Sequence, residues 1–466
     1  MTYDLNAMLA HVDDHIEESI ERLKDILRIP SVSTDPGFAD DVRRCADHMG
    51  DMLRDLGMQT TVHATEGHPM VVAHDAGPGT DDAPTILYYG HYDVQPADPY
   101  DLWDSDPFDP QIVDHPDGRR IVARGADDDK GQLMTFIEAM RAWKQVHGGL
   151  PVRVIVLLEG EEESGSASLN PFLEAHRDEL QADACVICDT GMWNRTTPAV
   201  TTMLRGIVGI EAILHGPGHD LHSGMYGGAV LNPINALARI VGELHDDAGR
   251  VQVEGFYDDV EEPAELETWK GLGFDEAAFL ASAGCDTTVG EQGRSVLERT
   301  WSRPTCDANG IYGGYQGAGG KTVIASHAGV KLTCRLVPDQ DAAKIHAGLI
   351  SFFEDRTPPG GRWEFLGEGA FPAIRVPTDS PWLQAALDGL ETAWGVSPVL
   401  MGCGGSIPVV GSFQSILGVD SLLVGFGLDD DRVHSPNEKY DLSSFHNGIK
   451  SHVAILGRFA DVAKSD

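Results

Sequence analysis

The chain has 466 residues, the length of two or at most three ordinary domains, and its 42% of hydrophobic residues can bury a sizeable core. It carries 34 Lys and Arg against 73 Asp and Glu, a formal charge of −39 that argues against nucleic acid and anionic membranes as partners. A heavily solvated surface, including one adapted to high salt, accounts for most of this acidity, so only a small share of the carboxylates is expected to be catalytic.

The first residues carry no sign of export. The opening Met1-Thr2-Tyr3-Asp4 is followed by neither the basic nor the apolar region of a secretory signal. No apolar run approaches the roughly twenty residues that span a bilayer. Seven cysteines do not suggest a disulfide framework, and Cys185 and Cys188 lie in an apolar run typical of buried thiols. We therefore expect a cytoplasmic protein.

The first two hundred residues predict alternating helices and strands. An amphipathic helix through Ile16, Ile20, Leu23 and Leu27 ends before Pro30, and a second is expected over 41–56. The stretch 98–120 has the composition of a loop and hairpin. Strands are predicted at 60–63, 70–73, 86–89, 154–158 and 184–188, and helices follow 131 and 170. This alternation favours an α/β fold with a doubly wound sheet.

Polar residues cluster where predicted strands end. The residues in question are His91 with Asp93, Glu162 with Glu163, and Asp189. In doubly wound sheets the functional site lies beyond the C-terminal ends of the strands, and scattered solvated acids have no reason to prefer those positions. Taken alone, His91 could equally be a satisfied histidine in a strand-end loop.

Three consecutive acids, Asp127, Asp128 and Asp129, precede the helix that follows Lys130-Gly131. The helix dipole favours one acid at such a position but does not explain all three. Closely packed carboxylates repel one another unless a cation lies between them. The pattern therefore strengthens the expectation of a metal site.

The character of the sequence changes near residue 205. We expect a strand at 207–214, a helix starting at Asn232-Pro233, a long acidic stretch to about 303, a Gly-rich segment at 310–320, a strand pair over 321–337 and a helix at 342–354. This order predicts a separate α+β domain. After a linker at 372–379, a helix at 381–394 and a strand at 422–426 lead to His434. The predicted domains are a catalytic domain in two parts, 1–204 and 377–466, and an inserted domain at 205–376.

The two histidines and the four or five strand-end carboxylates are ligands for divalent metals. Zinc accepts nitrogen and oxygen ligands, and manganese or cobalt would also fit. Two ions about 3.5 Å apart that share one carboxylate and a hydroxide would serve hydrolysis, with a free Glu as general base. The Gly-rich 310–320 lacks the Lys-Ser/Thr of a phosphate loop, and Asp429-Asp430-Asp431 fits a solvated turn.

With these residues the chain resembles the di-zinc metallopeptidases of the aminoacylase and carboxypeptidase type, and within them the carnosine dipeptidase and cytosolic non-specific dipeptidase branch. The resemblance covers nearly the whole chain. It rests on Gly90-His91-Tyr92-Asp93-Val94-Gln95-Pro96, Asp128-Asp129-Lys130-Gly131, Glu159-Gly160-Glu161-Glu162-Glu163-Ser164-Gly165-Ser166, Asp220-Leu221-His222-Ser223-Gly224, Arg335-Leu336-Val337-Pro338, Gly404-Gly405-Ser406-Ile407-Pro408 and His434-Ser435-Pro436-Asn437-Glu438.

The resemblance implies two divalent metal ions per subunit, with zinc preferred and manganese or cobalt as alternatives. One ion would be bound by His91 and Asp189, the other by Glu163 and His434, with Asp128 bridging them. It also implies a cis peptide after the bridging residue. The family usually has a small or polar residue before its Asp-Asp pair, whereas here Asp127 makes a run of three acids. Counting back from Lys130-Gly131 selects Asp128 as the bridging residue, and Asp127 is the neighbour that could be mistaken for it.

The same resemblance implies the catalytic and substrate-binding residues. Glu162 would be the general base, Asp93 would orient His91, and His222 would reach the site of the partner subunit and stabilise an oxyanion. The inserted domain would serve as lid and dimerisation domain of a homodimer. Thr322, Arg335 and Ser406 match substrate-binding positions, and a guanidinium suits a terminal carboxylate.

The expected function is hydrolysis of dipeptides or short peptides with a free C-terminal carboxylate by a two-metal hydrolase. A deacylase of N-acyl amino acids on the same scaffold is the nearest alternative. A catalytically silent metal-binding protein is the third, although the intact Glu162 argues against it. His222 could instead be an ordinary loop histidine, and Arg335 could belong to a surface ion pair.

Overall fold

The computed structural model describes residues 3–80 and 82–462, and the chain forms two compact units. The first unit contains the residues up to Thr202, Val376–Met401 and the residues from Val409 onward; the second contains Met203–Arg375 and Gly402–Pro408. The sequence-based division left Gly402–Pro408 in the catalytic domain, whereas this stretch groups with the second unit. Residues 1–2 and 463–466, the ends of the predicted catalytic domain, lie outside the described residues.

The first part of the chain alternates helices and strands. Its elements are α1 (Leu5–Asp14), α2 (Ile16–Leu27), α3 (Ala39–Asp55), β1 (Gln59–His63), β2 (Met70–Asp75), β3 (Thr85–His91), β4 (Gln111–His115), β5 (Gly118–Val122), α4 (Lys130–His147), β6 (Arg153–Glu159), α5 (Leu169–Ala175), β7 (Ala184–Ile187) and β8 (Ala199–Leu204). Short 3-10 turns lie at Pro36–Phe38, Tyr100–Leu102 and Glu162–Ser164.

The middle of the chain forms the second unit. Its elements are β9 (Gly206–His215), β10 (Leu221–His222), α6 (Ser223–Tyr226), α7 (Pro233–Gly242), α8 (Leu266–Lys270), α9 (Glu276–Ser282), β11 (Thr305–Gly313), β12 (Val323–Ile324), β13 (His327–Leu336), α10 (Ala342–Glu354), β14 (Arg362–Phe371) and β15 (Ile374–Arg375), with a π-helical turn at Glu298–Ser302.

The last part of the chain mainly completes the first unit. Its elements are α11 (Pro381–Trp394), β16 (Val399–Cys403), α12 (Pro408–Ser412), β17 (Ser421–Leu423), β18 (Lys439–Asp441) and α13 (Leu442–Phe459), with a π-helical turn at Phe413–Leu417. Among the described residues no helix is both long and apolar enough to cross a membrane. All seven cysteines lie in the described residues, and none of them forms a disulfide bond.

The main sheet of the first unit is mixed. Its strands follow the order β1-β2-β6-β3-β7-β17-β8, in which β6, β3, β7 and β17 are parallel neighbours and the flanking pairs are antiparallel. The C-terminal ends of parallel strands meet at one edge of a sheet. His91 is the last residue of β3, Glu162 follows β6 and Asp189 follows β7, so the sheet brings these residues to the same edge.

Strand β3 is the centre of this sheet and is covered on both faces. The ring of Tyr88 packs against Phe136 of α4, with 4.8 Å between the centroids, and the ring of Tyr89 packs against Phe413 at 5.3 Å. Successive side chains of a strand point to opposite faces, so a strand buried on both faces needs a continuous apolar run. This burial explains why Ile86–Tyr89 shows no alternation of polar and apolar residues.

A second, smaller sheet of the first unit joins distant parts of the chain. Its strand order is β18-β5-β4, and β18 pairs antiparallel with β5. Because β18 begins at Lys439 and β5 ends at Val122, the residues just before β18 lie beside the residues just after β5. This pairing carries the segment that contains His434 to the loop that contains Asp128.

The second unit is built on an antiparallel sheet with the order β11-β13-β9-β14. Side chains of α7 and α10 share its core. Asn232 caps α7 as its sequence predicted, accepting hydrogen bonds from the backbone N–H groups of Ile234 and Asn235. Two strands lie in 321–337 as expected, but the prediction that they pair with each other was wrong, because β12 pairs with β10 whereas β13 pairs with β9 and β11. Strands β11 and β14 were not anticipated.

Candidate active site

The first group of candidate ligands surrounds His91 at the end of β3. The side chain is fully buried, and its Nε2 lies 3.0 Å from Oδ1 of Asp128 and 3.9 Å from Oδ2 of Asp189. One ligand atom from each of these three residues lies within 4.8 Å of the other two. Two carboxylates and one imidazole are a nitrogen and oxygen set that zinc, manganese and cobalt accept.

A second group shares Asp128 with the first. Nε2 of His434 lies 3.0 Å from Oδ2 of Asp128 and 3.2 Å from Oε2 of Glu163. The potential ligand atoms of these three residues also lie within 4.8 Å of one another. Asp128 thus directs one carboxylate oxygen to each histidine. The structure therefore brings together all five residues that the resemblance assigns to the metals.

The loop before Asp128 is held by a residue to which the sequence analysis assigned no role. Both oxygens of the buried Glu438 side chain accept backbone hydrogen bonds from this loop. Nη1 of Arg124 also donates to Oε2 of Glu438, at 2.7 Å. The backbone donors are the N–H groups of Gly125, Asp127 and Asp128 at 3.0–3.1 Å. Glu438 was quoted as part of the motif that contains His434, but no periodicity marks it as a support for Asp128.

The two acids beside Asp128 lie outside both ligand groups. Asp127 is buried with a side chain close to Gly427. Asp129 accepts the backbone N–H of His91 at 3.0 Å and so fixes the end of β3. The peptide bond between Asp128 and Asp129 is cis, as the resemblance implied.

Asp93 contacts both ligand groups. Nδ1 of His91 lies 3.2 Å from the carbonyl oxygen of Asp93 and 3.4 Å from its Oδ1, while Oδ2 accepts the N–H of Glu163 at 3.1 Å. A proton on Nδ1 that is donated to Asp93 leaves the lone pair of Nε2 facing Asp128 and Asp189. This arrangement fixes the tautomer in which His91 can bind a metal.

The electrostatics of the site favour positive charge. Burial opposes protonation of His91, but hydrogen bonds with Asp128 and Asp93 hold its pKa well above the usual value. Hydrogen bonds with Asp128 and Glu163 raise the pKa of His434 to about 10. Burial, and then the charge of Asp128, raises the pKa of Asp189. Carboxylates crowded in this way repel one another, and cations bound among them would relieve the repulsion.

Glu162 belongs to neither ligand group. It begins the 3-10 turn after β6, and burial raises its pKa to about 7, with His91 opposing the rise and the charges of Glu163 and Asp128 adding to it. Its neighbour Glu163 is held by Nε2 of Gln95, which donates to Oε2 at 2.8 Å. A carboxylate that gains and loses a proton near neutral pH is suited to general-base catalysis.

The predicted substrate-binding residues lie in the second unit. Arg335, on β13, donates from Nη1 to Oγ of Ser406 at 3.1 Å, and Ser406 in turn donates to the carbonyl oxygen of Arg205. Within the described residues no carboxylate forms an ion pair with Arg335. The alternative that Arg335 belongs to a surface ion pair is therefore not supported. The guanidinium keeps donors for a ligand.

His222 is the last residue of β10, and Thr322 directly precedes β12, the strand that pairs with β10. The backbone N–H of Ser223 donates to the carbonyl oxygen of Thr322 at 3.1 Å, and both side chains are exposed. Nδ1 of His222 accepts the N–H of Gly224 at 3.0 Å. A neutral imidazole that accepts at Nδ1 carries its proton on Nε2, which is then a free donor.

A family model, curated relatives and solved structures each match most of the chain. The model of peptidase family M20/M25/M40 matches residues 87–458. The Cys-Gly metallodipeptidase DUG1 of Candida albicans is 34% identical over 464 residues, which cover 94% of each chain. Of the solved structures, human carnosine dipeptidase 1 superposes with a TM-score of 0.83 at 27% identity, covering 99% of this chain and 100% of that one.

A further solved structure, the dipeptidase Dug1p of Saccharomyces cerevisiae, gives a TM-score of 0.81 at 28% identity and covers 100% of both chains. The comparisons confirm the predicted α/β fold class and the predicted dipeptidase branch. Metallopeptidases of this family use divalent metal ions, and the donor set around Asp128 fits such ions.

Proposed function

Because the chain belongs to peptidase family M20/M25/M40, we propose that it is a metallodipeptidase that hydrolyses dipeptides or short peptides with a free C-terminal carboxylate. The observation that carries this proposal is the pair of ligand groups that share Asp128, with Glu162, which belongs to neither group, beside them. Relatives named as dipeptidases over the full length of the chain support the choice of substrate.

The metal ligands follow from the two groups. His91 and Asp189 would bind one ion, Glu163 and His434 the other, and Asp128 would bridge them. The set contains nitrogen and oxygen donors without a thiolate, which supports zinc, with manganese or cobalt as alternatives. When bound, such ions lower the pKa of water and polarise the carbonyl of a scissile bond.

The remaining residues act on protons and charge. Glu162 would take the proton of the attacking water and deliver it to the leaving amine, a role that its raised pKa supports. Asp93 would keep His91 in the tautomer whose Nε2 is free. Nε2–H of His222 would donate to the oxyanion that develops on the carbonyl oxygen.

Arg335 would bind the C-terminal carboxylate of the substrate. Its guanidinium has no carboxylate partner among the described residues, and Ser406 holds one of its nitrogens in place. A planar guanidinium binds a carboxylate through two parallel hydrogen bonds. Thr322 would contribute a hydroxyl to the same substrate.

We also propose that the protein is a homodimer formed through the second unit, which would serve as lid and dimerisation domain. Exposed apolar side chains follow His222 in the sequence and support an interface there: Met225, Tyr226, Val230 and Ile234. Clusters of this kind are uncommon on surfaces that stay in water. The cytoplasmic location expected from the sequence stays a prediction.

The test is a substrate panel with zinc-loaded and chelator-treated protein. The panel contains free dipeptides, the same dipeptides with an amidated C-terminus, and N-acetyl amino acids. We expect chelator-sensitive hydrolysis of free dipeptides and at least a tenfold loss with the amides, because Arg335 would lose its ionic partner. A preference for N-acetyl amino acids would favour the deacylase. If no compound were hydrolysed in a metal-dependent way, both the dipeptidase and the deacylase would be rejected.

A further inference from the structure

A separate cluster of imidazoles and a carboxylate lies in the first unit, among residues that neither the sequence analysis nor the proposed mechanism uses. His63 is the last residue of β1, His176 follows the last residue of α5, and Glu179 lies three positions later. One potential ligand atom from each of these residues lies within 4.8 Å of the other two. The ligand atoms within each group around Asp128 also lie within 4.8 Å of one another.

The local structure explains why these side chains meet. The chain continues past α5 in a helical turn, in which the N–H of Glu179 donates to the carbonyl oxygen of His176 at 3.0 Å. Residues three apart in such a turn lie on the same side, and Nδ1 of His176 is 2.7 Å from Oε2 of Glu179. The ring of Phe172 stacks on His176 with 4.2 Å between centroids and also contacts His63 at 5.3 Å.

A third histidine holds the carboxylate. His74 on β2 is the antiparallel partner of Gln59, so its side chain lies on the same face of the hairpin as that of His63. Its Nε2 lies 3.1 Å from Oε1 of Glu179, whereas His176 contacts the other oxygen, Oε2. A carboxylate ligand whose second oxygen is hydrogen-bonded is oriented for metal binding.

One buried nitrogen of the cluster has no hydrogen-bond partner among the described residues. The two oxygens of Glu179 are taken by His74 and His176. Nε2 of His63 is buried and has no hydrogen-bond partner among the described residues, although its ring lies only 4.7 Å from the ring of His176. A buried nitrogen without a partner is costly, and a cation among the three side chains would remove that cost.

We propose that His63, His176 and Glu179 bind one divalent transition-metal ion of the zinc class, separate from the two ions around Asp128. Two imidazoles and a carboxylate suit zinc rather than calcium or magnesium, which prefer oxygen ligands alone. Metal–ligand bonds of about 2.0–2.2 Å place ligands up to about 4.4 Å apart, so small side-chain rotations close the site. The ion would tie the edge strand β1 to the segment after α5, and water would complete its coordination.

The test compares zinc content per chain after loading with excess zinc chloride and desalting. We expect His63→Phe and His176→Phe each to contain about one zinc ion fewer than the wild-type protein, with dipeptide hydrolysis retained. Phenylalanine keeps the ring packing against Phe172 and removes the nitrogens. The matched control is His215→Phe, since His215 pairs with Glu364 at 2.8 Å but belongs to none of the three-ligand groups found in the described residues.

A second measurement on the wild-type protein covers the case in which a variant does not fold. Zinc should protect His63 and His176 from modification by diethylpyrocarbonate, read peptide by peptide by mass spectrometry, and should leave His215 as reactive as before. Equal zinc content in all four proteins, or no zinc-dependent protection, would overturn the proposal. Because the readout is a difference of one ion, it does not depend on whether the site around Asp128 is catalytic.

Discussion

Arg124 and Glu438 lie 314 residues apart in the chain and form a buried ion pair, in which Nη1 of Arg124 is 2.7 Å from Oε2 of Glu438. The exposed fractions of the two side chains are 1% and 0%. The same carboxylate accepts backbone hydrogen bonds from the loop that ends at Asp128, and it lies four residues after His434. One side chain therefore connects the two segments that carry these ligands.

The first prediction concerns this pair. Glu438→Gln should lower the free energy of unfolding by about 3–5 kcal/mol, because removing one member of a buried ion pair leaves the other charge uncompensated. Urea unfolding followed by circular dichroism measures the change. The matched control is Glu17→Gln, whose partner Arg119 lies at 2.6 Å on the surface, and it should change stability by less than about 1 kcal/mol. Similar effects in the two variants would contradict the structural role of Glu438.

The second prediction tests the general base. Glu162→Gln should lower kcat for a dipeptide by about 10²–10⁴-fold, because an amide cannot accept the proton of the attacking water. Metal content should stay at the wild-type level, since Glu162 belongs to neither ligand group. Its neighbour Glu161 accepts the backbone N–H groups of His68 and Ser168, so Glu161→Gln should lower the melting temperature instead. Wild-type kcat in Glu162→Gln would contradict the mechanism.

The third prediction follows from the two oxygens of Asp128. Because each oxygen faces a different histidine, Asp128→Asn should lose about two metal ions per chain relative to wild type. Asp189→Asn and Glu163→Gln should each lose about one, since each contributes to a single group. Metal analysis by mass spectrometry on desalted protein measures the difference. An equal loss in all three variants would show that the ions do not bind independently.

The parts of the fold that regular patterns specify were predicted from the sequence. Helix α2 and strand β6 lie within two residues of their expected positions, because their apolar residues follow the period of the element. The rule that sites form at the C-terminal ends of parallel strands predicted that His91 and Asp189 lie at the same edge of the sheet. These two inferences need only local pattern and topology.

Other parts depend on contacts that no local pattern records. Strand β11 starts just before the Gly-rich segment, and β14 contains Gly367 and Gly369, so neither has the β-branched run typical of a strand. Glu438 supports Asp128 only because β18 pairs with β5. The sequence contains both residues, but the pairing that joins them is a property of the folded chain.

The fourth prediction concerns the substrate carboxylate. Arg335→Lys should raise KM for free dipeptides by about 10- to 100-fold with a smaller effect on kcat, because an ammonium cannot replace the two parallel hydrogen bonds of a guanidinium. The variant should also lose the preference for free over amidated dipeptides. Ser406→Ala, which removes the hydroxyl held by Nη1 of Arg335, should raise KM only a few-fold. An unchanged preference in Arg335→Lys would remove this residue from substrate recognition.

The fifth prediction concerns the homodimer and the role of His222 in the partner's site. His222→Ala and Glu162→Gln homodimers should each be nearly inactive. If His222 acts across the dimer, a mixed dimer contains one complete site. This site combines the intact Glu162 of the His222→Ala chain with the intact His222 of the Glu162→Gln chain. Equal mixing with subunit exchange should then restore about a quarter of wild-type activity.

This complementation separates the two possible arrangements without a structure of the dimer. His222 is exposed, and the apolar Met225 and Tyr226 follow it, which is why we expect its Nε2–H donor to face another chain. Light scattering establishes the dimer, and differently tagged chains establish exchange. Mixed dimers that form and remain inactive would show that His222 serves the site of its own chain. A monomer with wild-type activity would remove the need for a partner, because each chain would then contain its whole active site.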